Sequence, residues 1–149
     1  MTSWQRVPPV AVGGLVAVAF WDEDTVAVGS HSGIGLVDAR TGAVRGRESD
    51  PHGDYAWYQA DPPSIRKETP TGVVLMPSMG LWGGNFRKET DDGWSAALVP
   101  TGALVSHEDR PRFAIEDTDE PRALGFSQGG TLLIFATSST LHLCHRSSV

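Results

Sequence analysis

Cys144 is the sole cysteine, so the chain cannot close an internal disulfide. A fold without that staple suits a reducing compartment, and the cytoplasm is the expected setting. Positive charge is scarce as well: 12 Lys and Arg stand against 18 Asp and Glu, for a net charge of −6, and the basic residues are dispersed. Phosphate affinity needs clustered cations, so no nucleic-acid partner is expected. No stretch sustains an apolar period of 3.6, which leaves little room for helix. The phosphate-binding P-loop and the H-E-x-x-H zinc motif are missing, and the one G-x-S-x-G string, Gly125 to Gly129, runs from an expected strand into a turn with another strand after it, not the helix that a nucleophile elbow needs. A catalytic function is therefore not expected from motifs, and no cofactor is implied.

The longest apolar stretch, Val7 to Phe20, follows Arg6 and has the small-x-small step Ala17–Ala19 of a secretory leader. Pro8, Pro9, Gly13 and Gly14 interrupt it, and Leu15 to Phe20 reads better as a buried strand. It is too short to span a bilayer. Neither a targeting segment nor a membrane partner is expected.

Turn-forming residues are plentiful. The 149 residues include 17 glycines and 10 prolines, scattered between short apolar runs. That spacing marks antiparallel hairpins, with glycine at corners that need positive φ. Near the start, residues 15–20, 25–30, 34–38 and 43–45 form a four-strand meander. Near the end, residues 122–126, 131–136 and 140–145 repeat the plan. In the middle, strands are expected at 72–76, 94–99, 103–106 and 112–115, while 46–72 reads as loop.

Laying Phe126 on Phe20 also lays Thr131 on Thr25, an offset of 106 residues. That is about two units of the roughly 40–50 residues typical of propeller blades. The segments VAVAFWDEDTVAVGSHSGIGLVDARTGAV and RALGFSQGGTLLIFATSSTLHLCHR resemble blades of WD40-like and quinoprotein-like β-propellers. The likeness lies in an aromatic ending the first strand, a small-residue GS or AT ending the second, and a D-x-x-T-G turn after the third. It covers about a third of the chain, and the second segment matches only through its third strand. The resemblance implies an all-β fold of antiparallel meanders with about three blade-like sheets, an incomplete propeller. The alternative is a small β-sandwich or barrel. Three blades cannot close a ring of the usual four to eight, so exposed edges must be blocked or paired, and a homodimer would do so.

Several clusters invite chemistry. His142, Cys144 and His145 form H-x-C-H, but on a strand only His142 and Cys144 share a face, too few for zinc. Asp50, His52 and Asp54 alternate with Pro and Gly, and would be the centre of a small metal-dependent hydrolase if they held a cation. A solvated turn is the plainer reading of that loop, and no metal site is expected. The acidic groups Asp22–Asp24 and Glu116–Glu120 read as solvated links protecting strand edges.

Tyr55, Trp57, Tyr58, Trp82 and Trp94 stand out, because all fall in the irregular middle. Trp and Tyr bring large rigid area with a polar handle to contact surfaces, although they also plug small β cores. These five are the expected binding residues of a non-catalytic interaction or self-assembly module with a protein partner. The net acidity also suits a small inhibitor of the immunity type that covers a basic site.

Overall fold

The computed structural model describes residues 4–49 and 55–147. The Asp50/His52/Asp54 loop lies outside the described residues. Fifteen strands account for the regular structure, and no helix is present among the described residues. No helix is long and apolar enough to cross a membrane. The all-β, antiparallel reading holds, with three sheets.

In chain order the strands are β1 (Gln5–Arg6), β2 (Val10–Ala11), β3 (Leu15–Asp22), β4 (Thr25–Ser30), β5 (Gly33–Asp38) and β6 (Val44–Ser49). There follow β7 (Tyr58–Ala60), β8 (Pro63–Thr69), β9 (Gly72–Gly80), β10 (Trp94–Val99), β11 (Gly102–His107) and β12 (Arg110–Glu116). Last come β13 (Pro121–Phe126), β14 (Leu132–Thr137) and β15 (Thr140–His145). One correction falls in 46–72. That stretch is not a loop throughout: it holds most of β6 together with β7 and β8. Arg, Lys, Glu and Gln crowd these strands and hide the alternation, because both faces of β6 and much of β8 meet solvent.

The seven-stranded sheet, ordered β6-β5-β4-β3-β9-β8-β7, curls into a half-barrel. A five-stranded sheet joins β13, β14 and β15 to β1 and β2, so the first described strands pair with the last: Arg6 with Cys144, Val10 with Leu141. The third sheet is the meander β10-β11-β12.

The sheets stack face to face, and period-two alternation decides which residue meets which neighbour. On β14, Leu132, Ile134 and Ala136 pack against Val18, Val26, Val28 and Val37 of the half-barrel. Leu133 and Phe135, pointing the other way, pack with Trp94, Ala96, Ala103, Val105 and Ile115 of the three-stranded sheet. The middle layer is thus buried on both faces, which is why residues 132–136 form a continuous apolar run where an exposed strand would alternate. Each large aliphatic side chain so buried contributes roughly 1.5–3 kcal/mol.

On the other face of β3 and β4 the residues shrink to Ala17, Ala19, Ala27 and Gly29. The space is filled by Trp57 and Ile65, with Tyr55, Tyr58 and Met76 packed around them.

Candidate functional site

The mouth of the half-barrel is a groove of about 430 Å³ floored by Trp21, Ile34, Leu36 and Trp57. Two strand edges flank it. On one side no further strand lies beyond β6 among the described residues. On the other, β7 covers β8 only at residues 63–65, after which Arg66 donates its N–H to the Trp57 carbonyl at 2.8 Å. Arg47, Glu48, Arg66 and Glu68 line the same groove, so its charges are mixed and its floor is apolar.

Four of the five expected aromatic residues converge beside this mouth. Tyr55 meets Trp57 at 5.8 Å and Trp82 at 4.9 Å between ring centroids, both edge to face. Tyr58 closes the cycle, 5.8 Å from Trp57 and 5.0 Å from Trp82. Such pairs add about 0.5–1.5 kcal/mol beyond simple burial. The members play different parts. Trp57 is a core plug, only 9% exposed, whereas Trp82 is 42% exposed and its neighbour Leu81 45%. Tyr55 and Tyr58 are half-buried between them.

Polar contacts around the cluster are uneven. The Tyr55 hydroxyl and His31 Nδ1 lie 2.6 Å apart. The Trp57 indole N–H and the Tyr58 hydroxyl are buried with no hydrogen-bond partner among the described residues. Burial pushes the Tyr58 phenol above its ordinary pKa. An orphaned buried donor costs about 1–3 kcal/mol.

Trp94 stands apart. It is 5% exposed in the core between the three- and five-stranded sheets, edge-on to Trp4 at 5.9 Å. Arg146 lies over both rings, with its guanidinium carbon 4.9 Å from the centroid of Trp4 and 5.9 Å from that of Trp94. It donates to both Asp92 carboxylate oxygens, at 2.6 and 2.8 Å. Those two bonds hold the Asp92 carboxyl far below the usual range, and with them Arg146 locks the end of β15 to the loop before β10. Trp94 serves this lock and the core, not the contact surface.

Three other candidate groups have defined surroundings among the described residues. His142 stacks on Phe135, and its Nε2 lies 2.8 Å from Asp117 Oδ2, an oxygen that also accepts from the Thr137 hydroxyl at 3.0 Å. This buried trio ties the turn before β13 to β14 and β15. Burial raises the Cys144 thiol to about 11, and the nearby Arg6 charge opposes this only in part. In the Asp22–Asp24 link, Asp24 accepts from Arg40 at 2.9 Å. Among the described residues, no group of three His, Cys, Asp or Glu gathers as metal ligands would.

Sequence reasoning missed Leu81 and the role of Gly29. Leu81 sits between Gly80 and Trp82 in a stretch with no alternation to read. Gly29 looks like an ordinary strand end, yet it is the seat of the Trp57 ring. No protein-family profile matches the chain, and neither a curated protein nor a solved structure is detectably similar to it.

Proposed function

We propose that this chain is a non-catalytic protein-interaction module whose contact surface is Trp82 and Leu81, backed by Tyr55 and Tyr58 at the mouth of the half-barrel. The observation that carries the reading is the contrast within one aromatic cluster. Trp57 anchors the cluster in the core and lines the groove, while Trp82 and Leu81 expose large apolar side chains to solvent. Exposed tryptophan on a rigid aromatic base is the composition of contact hot spots, where area comes at low entropic cost.

The mixed charge of Arg47, Glu48, Arg66 and Glu68 suits a polypeptide better than a strongly charged small molecule. The blade likeness of the end segments is consistent with such a module, but a fold does not name a partner.

Site-specific photocrosslinking tests the reading. With a benzoylphenylalanine in place of Trp82, irradiation in the source-cell extract should give a discrete protein adduct. The same probe in place of the exposed Arg112 on β12 should not. Equal labelling at both positions, or none at position 82, refutes the proposed surface.

A further inference from the structure

The half-barrel contains a third open edge, on β9. β3 pairs with β9 only at Ala17–Gly80, Val18–Met79 and Ala19–Ser78, whereas β8 pairs with β9 along residues 72–77. The ladder stops for a chemical reason. Leu81 donates its N–H to the Val16 carbonyl. Alternation along an antiparallel strand therefore turns the backbone groups of residues 81, 79, 77, 75 and 73 toward the β3 side. Residue 77 is proline, which has no N–H to give. The two strands part there, and Lys67 reaches into the gap to donate to the Trp21 carbonyl at 3.2 Å.

Beyond the break, no strand among the described residues pairs with β9 on that side, so the N–H and C=O groups of Val73 and Leu75 face outward. The strand is uncharged there, and its side chains are exposed on both faces: Val73 49%, Val74 46% and Leu75 37%. Three other edges in the fold are guarded. β6 carries Arg45, Arg47 and Glu48, and β12 carries Arg110, Pro111, Arg112 and Glu116. The edge of β10 is met by Lys88 and Glu89. Charge and proline on edges are what keeps sheets from joining, and the Val73–Leu75 edge has neither.

We propose that two copies of this chain pair through β9, antiparallel about a two-fold axis at Val74, extending the half-barrel sheet across the dimer. The register follows from parity. Only residues 73 and 75 offer outward backbone pairs, so Val73 of one copy must face Leu75 of the other, twice over, with four hydrogen bonds. The side-chain rows then match in charge. On β8, Arg66 lies beside Leu75 and Glu68 beside Val73. Each cross-dimer row reads Arg66, Leu75, Val73, Glu68, with opposite charges closing over an apolar pair. Lys67, which would otherwise face its own copy across Val74, is turned to the Trp21 ring, 5.2 Å from its centroid. The surface is separate from Trp82, and this dimer goes beyond the interaction surface proposed above.

Light scattering over a concentration series reads the outcome. The expected mass approaches twice 15.9 kDa as concentration rises. Val74→Lys, which places two ammonium groups on the axis, should give the single-chain mass throughout. Arg66→Glu should weaken association several-fold by setting glutamates at both ends of each row, and adding Glu68→Arg should restore it. In the dimer the Val73 and Leu75 amides should exchange with solvent more slowly than in dilute protein. A single-chain mass at all concentrations overturns the proposal. So does association unaffected by Val74→Lys, or failure of the double charge swap to restore it. Trp82→Ser must leave the dimer intact, and Val74→Lys must leave the adduct at position 82, so either proposal can fail without the other.

Discussion

The indole of Trp57 rests directly on the α-carbon of Gly29: a β-carbon at position 29 would fall 2.1 Å from the ring's Cη2. This contact joins the two arms of the half-barrel, because Gly29 lies on β4 and Trp57 enters from the segment before β7. It also holds the base on which Tyr55, Tyr58 and Trp82 stand.

Gly29→Ala should therefore push Trp57 out of its seat. Overpacking of this kind costs about 1–3 kcal/mol, to be read from urea unfolding midpoints. Near-ultraviolet circular dichroism should change as well, since four aromatic rings lose their mutual orientation. A variant with native stability and an unchanged aromatic spectrum would show that the seat is not needed.

Acid should loosen the lock at Asp92. Hydrogen bonds from Arg146 lead in holding that carboxyl below its ordinary value of 3.8, and burial opposes them without prevailing. A carboxyl depressed in the folded state contributes stability that is fully present above its unfolded pKa and is lost as pH falls toward the folded one. Asp38, held down first by the Arg40 backbone N–H, works in the same direction. So does Asp117, where bonds from His142, Asp119 and Thr137 outweigh burial. Asp92→Asn should be less stable than the parent near neutral pH. The gap in urea midpoints should narrow as pH drops below 3.8. A gap that is constant or widens in acid would contradict the assignment.

Cys144 should be silent in the folded protein. Its thiol is 1% exposed and raised to about 11, so thiolate is scarce and unreachable. Modification by an aromatic disulfide reagent should proceed only through unfolding, at a rate that rises with denaturant along the unfolding limb. Rapid labelling in native buffer would place the thiol at the surface.

Legibility varied along the chain for physical reasons. Strands β3, β4, β14 and β15 were readable because they are buried along most of their length, where burial selects apolar residues with little interruption. β8 escaped notice because it sits beside the groove mouth, and Arg66, Lys67 and Glu68 in succession carry no alternation. The aromatic residues were noticed as a group but could not be sorted. Trp57, Trp82 and Trp94 have the same side chain, and only packing makes one a plug, one an exposed contact and one a cover for Arg146.

By itself, the order of residues determined that this protein is built of short antiparallel strands joined by glycine-bearing turns, since backbone sterics and alternation act over a few neighbours. Tertiary structure decided what lies far apart in the chain: that Gly29 seats Trp57, that Asp92 meets Arg146, and that β3 leaves β9 at Pro77. Those outcomes depend on which faces close over one another and how far the sheet must curl, and burial settles that only when the whole chain is in place.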